Sequence, residues 1–244
     1  MSEACGEVLD EVRRAIRSLL GPIAATNGSE AHLLDVGCWD GIETTCYAQL
    51  LHARAHGIEI FPEPAVEAER NGVDVARVDL ESGRFPWADG SMDVVIANQV
   101  FEHLKNIWLP MSEMFRVTRD GGWLVISVPN LGSLHNRALM LFGAQPTSIR
   151  TFGPHVRGYT AGEFARFVTF EGAYELVNRT GVGFYPLPAH LATPLARAWP
   201  SASHTTVLLA RKRAGVERAP WQAFVEDGHE GLQTFYGEGA TSAR

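Results

Sequence analysis

The sequence predicts an α/β fold with a doubly wound, mostly parallel sheet, and three observations carry that expectation. From residue 32 onward, short apolar runs alternate with stretches of helical periodicity, the order that builds parallel strands joined by helices. The run at 122–128 is hydrophobic on consecutive positions, as a strand buried on both faces must be. Between the first such run and its helix lie Gly37 and Gly41, where a backbone can turn sharply and let a ligand approach.

The elements follow in chain order. Residues 8–20 place Val8, Leu9, Val12, Ile16, Leu19 and Leu20 on one helical stripe, and Gly21-Pro22 is expected to stop that N-terminal helix. Residues 21–30 read as a linker. Strands are expected at 32–36, 56–60, 75–80, 92–97 and 122–128, with helices after Gly41, after Pro62 and over about 107–118. Residues 129–159 turn irregular where a minimal sheet would proceed directly to its next helix, so an inserted lid is expected after the fifth strand. Thr160 can cap a helix whose Glu163 reaches back in a reciprocal capping box, with Phe164, Phe167 and Val168 on its buried face. Residues 174–182 and 205–210 complete a seven-stranded sheet, and the Gly- and Glu-rich tail at 214–244 is expected to be loosely held. No internal repeat appears, so 1–244 reads as a single domain with its core at about 31–213.

Composition narrows the function. The chain has 244 residues, 45% hydrophobic and 20% charged, enough to bury one full core. No apolar run nears the roughly 20 residues of a membrane span. Residues 1–10 carry three acids and no basic residue, unlike a secretory or transit leader, so a cytoplasmic location is expected. Cys5, Cys38 and Cys46 lack paired CxxC spacing and read as reduced thiols. With 21 basic against 28 acidic residues the formal charge is −7, which disfavours nucleic acid as a partner. Base rates make a homodimer the default assembly.

Chemistry gathers around the glycine turn LLDVGCWDG at 33–41. Glu59, ending the second expected strand about 20 residues past that turn, can accept hydrogen bonds from both hydroxyls of a ribose. Asp79 and the Leu80 amide, at the end of the third, offer an acceptor for an exocyclic amine and a donor for a ring nitrogen, a pair that reads adenine. Trp39 and Ile42 occupy two positions that the dinucleotide pattern G-x-G-x-x-G reserves for glycine. A pyrophosphate would also meet Asp35 and Asp40 with no lysine or arginine beside them. An adenosine that carries positive charge suits this turn better.

These pieces, with GIEI at 57–60, VDL at 78–80, FPWADGSMDVVIANQVFEHL at 85–104 and GGWLVISVPN at 121–130, come in a family's order and spacing. Across about 33–130 the chain resembles the class I S-adenosylmethionine-dependent methyltransferases. The resemblance implies a Rossmann-like sheet, S-adenosyl-L-methionine as cofactor and S-adenosyl-L-homocysteine as product. Position by position, it implies Asp35 near the methionine amino group, Gly37 and Gly41 in the cofactor loop, Glu59 on the ribose, Asp79 and Leu80 on adenine, and Asn98 beside the methionine moiety. Trp39 departs from the family's D-x-G-x-G-x-G by replacing its central glycine. Bland alternatives stay open, since strand-end acids also cap helices and glycines also serve turns alone.

Transfer of a sulfonium methyl is an in-line displacement, and a hydroxyl acceptor must lose a proton during attack. Histidine, with an ordinary pKa of about 6.5, is the natural proton acceptor near neutral pH. His103, just past the fourth strand in QVFEHL, leads the candidates, and His155 in the lid follows. Glu102-His103 resembles the end of the E-x-x-E-H pattern of some quinone O-methyltransferases, but Gln99 stands where the first glutamate would be, so no tightly bound metal is expected. Asn98-Gln99-Val100-Phe101 also differs from the Asn/Asp-Pro-Pro-Tyr-like turn of nucleobase methyltransferases. Leu131, Leu134, Leu139, Leu141, Phe142, Ile149 and Phe152 give the lid apolar surface to cover a small-molecule acceptor. The expected reaction is methylation of a hydroxyl on a metabolite, sugar or lipid-linked precursor. Nitrogen or carbon acceptors rank behind it, as does a partner protein of the same fold without transfer, for which Trp39 is the hint.

Overall fold

The structure, a computed structural model, describes residues 3–24 and 31–227. Among these, seven strands form one sheet: β1 (Ala31–Val36), β2 (Ala53–Ile58), β3 (Asp74–Ala76), β4 (Met92–Asn98), β5 (Thr118–Pro129), β6 (Tyr174–Val182) and β7 (Thr205–Lys212). Their order is β3-β2-β1-β4-β5-β7-β6. The pairs are parallel except those of β7, which runs antiparallel to β5 and β6. The helices are α1 (Glu3–Ala24), α2 (Ile42–Leu51), α3 (Pro62–Arg70), α4 (Trp108–Val117), α5 (Leu134–Leu141), α6 (Ala161–Val168), α7 (Ala189–Ala198) and α8 (Gln222–Glu226).

Two cores flank the sheet. On one face α1 and α2 bring Ile16, Leu20, Tyr47 and Leu51 against Leu33, Val94, Ile96 and Leu209. On the other, α4 and α6 bring Met111, Met114, Phe115 and Phe164 against Leu34, Val95, Ile126 and Leu208. Consecutive residues such as Leu33 and Leu34 therefore enter opposite cores, which accounts for the unbroken hydrophobicity of the central strands.

Several boundaries differ from the sequence reading, each for a tertiary reason. The first helix runs through Gly21-Pro22 to Ala24. Both residues face solvent, while Ile23 beyond them is buried, so core packing carries the helix past a proline that removes one backbone hydrogen bond. β2 starts at Ala53 and stops at Ile58 instead of spanning 56–60, because its first half is a polar, partly exposed stretch with no apolar signature. The edge strand β3 has only three residues, so Asp79 and Leu80 lie in a turn beyond it; short edge strands resist unwanted pairing. α7, between β6 and β7, has no counterpart in the sequence reading. Thr160 caps α6 as expected, its Oγ1 accepting from the Glu163 amide at 3.3 Å. The Glu163 carboxylate pairs with Arg166 instead of reaching back, so the capping box is half formed.

The tail differs most. Trp221 is 1% exposed and packs among Phe115, Phe167 and Tyr174, with its Nε1 donating to the Phe167 carbonyl at 3.1 Å. Residues 214–227 are thus docked on the α4–α6 core through one indole that low overall apolar content concealed; residues 228–244 of the expected loose tail lie outside the described residues.

Candidate active site

Parallel register aligns the C-terminal ends of the central strands, pairing Val36 with Ile58 and with Ala97, and Asn98 with Ser127. Gly37, Glu59 and Asn98 therefore come together along one edge, at the point where the order reverses between β1 and β4. Ligands of open α/β sheets bind in such crevices.

The glycine turn is built as its sequence implies. Gly37 has φ +78, and its amide and that of Cys38 donate to the Ile58 carbonyl at 2.8 and 3.0 Å. A Cβ on Gly37 would stand 2.8 Å from Val100 Cγ2, so the turn closes onto the segment after β4. Gly41 has φ +73 and leads into α2, where a Cβ would lie 2.9 Å from the Ala68 backbone. Packing of α2 on α3 is thus sufficient to require glycine there. Trp39 adopts φ +51, uncommon for a residue with a side chain. Its indole is 58% exposed and meets Phe61 edge-on at 6.3 Å, so the large ring leans outward and leaves the loop backbone clear.

Three of the predicted cofactor acids occupy distinct environments. Asp35 is buried, and its Oδ2 accepts from Thr44 Oγ1 at 2.6 Å. Burial pushes its pKa up to about 7; the Thr44 bond opposes this, while the charges of Glu43 and Glu59 add to it. Glu59 is buried as well, and its two oxygens accept from the Trp39 and Phe61 amides at 3.1 and 2.9 Å, tying the glycine turn to the start of α3. Asp79 is exposed, and its carboxylate caps its own turn through the Glu81 amide and the Ser82 hydroxyl, at 2.9 and 2.8 Å. Leu80 is half-buried against the α4–α6 core. Asn98 accepts from Ser127 Oγ at 2.6 Å, a bond across β4 and β5 that fixes its side chain at the strand ends. A shallow hollow of about 410 Å³ beside this cradle is lined by Trp39, Asp40, Phe61, Glu63, Pro64 and Glu67. Its three carboxylates suit a cationic ligand. A larger one, about 550 Å³, contains none of the predicted residues, and its cations are engaged: Arg116 by Glu113 and Asp89, Arg119 by Asp93, Arg218 by Glu226 and Lys212 by backbone carbonyls.

The two predicted histidines meet. His103 closes a 3₁₀ turn at Phe101–His103, and the lid returns beside it, where the Val156 and Arg157 amides donate to the Glu102 carbonyl at 2.8 and 3.1 Å. The rings of His103 and His155 lie edge-to-face with centroids 4.8 Å apart. The Ser148 carbonyl accepts from His155 Nδ1 at 2.8 Å, which orients that ring and makes Nε2 the acceptor nitrogen of the neutral imidazole. Partial burial and the His155 imidazole lower the His103 pKa below the ordinary histidine value, against a hydrogen bond to the Pro154 carbonyl. Glu102 is 1% exposed, its Oε2 has no hydrogen-bond partner among the described residues, and burial pushes its pKa up to about 8. Glu102, His103 and His155 present ligand-type atoms within 4.8 Å of one another. Sequence reading considered Glu102 only as half of a metal pattern; an acid inside an otherwise apolar turn was the available signal. Gln99 withholds one carboxylate from this group, and His155 brings it a further donor from residues 129–159.

The 129–159 segment, the expected lid, is anchored at both ends. Asn130, fully buried, donates from Nδ2 to the Ser201 and Ser203 carbonyls and accepts at Oδ1 from the Gly132 and Ala161 amides. Tyr159 at the far end donates its hydroxyl to the Phe101 carbonyl at 3.2 Å. Leu134, Leu141, Phe142 and Phe152 are exposed to solvent, contrary to the expectation that they close over an acceptor. Leu131, Leu139 and Ile149 are the partly covered apolar groups of the lid.

Comparison with known proteins agrees with this architecture. Residues 34–126 match the family model for a methyltransferase domain. A Mycolicibacterium smegmatis protein named a probable S-adenosylmethionine-dependent methyltransferase is 30% identical over 192 residues, 78% of this chain and 66% of that protein. The chain spans about half the length of other curated relatives it matches. Among solved structures, a Thermotoga maritima S-adenosylmethionine-dependent methyltransferase, described as a possible histamine N-methyltransferase, superposes with TM-score 0.60 at 17% identity, covering 84% of this chain and 89% of that one. The [4+2]-cyclase SpnF superposes with TM-score 0.59 at 20% identity, covering 82% of each chain. These two likenesses speak to the fold. Strand order, the acid-lined glycine turn and the family match converge: the chain belongs to the class I S-adenosylmethionine-dependent methyltransferases.

Proposed function

We propose that this chain transfers a methyl group from S-adenosyl-L-methionine to a hydroxyl of a small-molecule acceptor, such as a metabolite, sugar or lipid-linked precursor. The observation that carries the reading is the Glu102–His103–His155 cluster one turn past Asn98, on the cofactor edge of the sheet. S-adenosyl-L-methionine supplies an electrophilic methyl on a cationic sulfur. Asp35 supplies negative charge for the ammonium, Glu59 accepts from the ribose hydroxyls, Asp79 and Leu80 border adenine, Gly37 and Gly41 let the loop turn past the methionine portion, and Asn98 stands beside it. Holding donor and acceptor in line is worth up to about 7–11 kcal/mol. His103, neutral at pH 7, takes the hydroxyl proton as the oxygen attacks, and His155 and Glu102 face the imidazolium that forms. A second reading rests on the same cluster, whose carboxylate and two imidazoles also suit a divalent cation that would acidify the hydroxyl.

Calorimetry tests the cofactor half. Because Asp35 titrates near 7 and a bound cation favours its ionised form, affinity for S-adenosyl-L-methionine rises by about tenfold between about pH 6 and pH 8, with proton release on binding. Asp35→Asn flattens that dependence; a flat profile in the parent removes Asp35 from contact with the cation. Glu59→Ala weakens binding by about 1–3 kcal/mol through lost charged hydrogen bonds. Unchanged affinity would contradict its placement on the ribose, and binding of neither the donor nor its demethylated product would favour a partner protein without transfer.

A further inference from the structure

Two helices of this protein are packed inside out. α5 buries Asn136, bonded to Asn130 and Ser148, while Leu141 at its end is 81% exposed. α7 buries Ala192 and Ala196 and shows Leu191 and Leu195 to solvent, with Trp199 continuing the same four-residue spacing. Phe142 and Phe152 in the lid are 84% and 103% exposed. Solvent is a poor environment for such large apolar groups, and a concentration of them marks a surface that meets something else.

The two segments adjoin. His135 of α5 lies edge-to-face on Tyr185 at 4.5 Å, and Arg137 donates to the Ser201 carbonyl. Their charge is as unusual as their apolarity. In a chain of formal charge −7, residues 121–162 and 176–216 contain no aspartate or glutamate at all. Arg137, Arg150 and Arg197 are the exposed charges that stand among the apolar side chains.

We propose that the lid and the β6–β7 connection form one face that seats this protein on an anionic lipid surface. Bulky apolar and aromatic groups enter the headgroup boundary while arginines meet lipid phosphates, the composition that interfacial binding requires. A second copy fits less well, because a two-fold contact sets the same arginines against each other with no acid on the face to offset them. The inference is independent of methyl transfer, since binding to vesicles needs neither donor nor acceptor.

Co-sedimentation with phosphatidylcholine vesicles, with and without about one-third phosphatidylglycerol, tests it. Expected is a preference of about tenfold or more for the anionic vesicles, lost in high salt. Phe142→Ser/Phe152→Ser is expected to lower that affinity about tenfold, and Arg150→Gln/Arg197→Gln by a similar factor, with unchanged melting temperature and cofactor binding. The proposal is overturned by no association with either vesicle, by equal association with both, or by unaltered binding of the variants. A dimer in sedimentation velocity that Phe142→Ser/Phe152→Ser dissociates would instead assign the face to a second copy.

Discussion

His103→Ala lowers turnover by about 10²-fold or more while affinity for S-adenosyl-L-methionine stays near that of the parent. The size of the effect follows from the role: without a proton acceptor in reach, attack by a hydroxyl must build up oxonium character or rely on water. The pH–rate profile carries the finer test. A base must be neutral, and the pKa of His103, a residue that is itself exposed, is lowered by partial desolvation and by His155. With S-adenosyl-L-methionine saturating, so that the Asp35 titration does not enter, activity is therefore held at neutral pH and falls only as pH drops through a value below the ordinary 6.5 of histidine. The variant loses that acid limb. A limb retained in His103→Ala removes the residue from proton transfer. Chelation separates the two readings of the cluster: activity that survives EDTA fits histidine as base, and a loss restored by a divalent cation makes His103 and His155 ligands instead.

Trp221→Ala destabilises the protein by about 3–5 kcal/mol, read from urea or thermal unfolding. The indole is enclosed by Phe115, Phe167 and Tyr174, and its removal leaves a cavity inside the larger core. Trp221→Phe restores most of the packing and gives up the hydrogen bond to the Phe167 carbonyl, at about 1 kcal/mol. An unfolding midpoint unchanged in Trp221→Ala would mean that the segment after β7 contributes nothing to the fold.

Much of the local geometry of the candidate site was legible in the sequence. Gly37 and Glu59 announce themselves because a turn and a carboxylate are local properties, set by residues adjacent in the chain. Asp79 shows the limit of that reading, for the short edge strand β3 ends before it and its carboxylate caps its own turn. Trp39 shows another: sequence places a large ring in the loop but says nothing of the direction in which a left-handed residue aims it.

The sequence by itself determined the alternation of strands and helices, the buried central strands and the acid-lined turn, because periodicity and backbone preference act over a few residues. Only the tertiary structure decided that His155 stands against His103 and Glu102, that Trp221 belongs to the core, and that α5 and α7 turn their leucines outward. Each of these depends on contacts between distant segments, where the free energy comes from burial in a shared space and leaves no periodic mark on the chain.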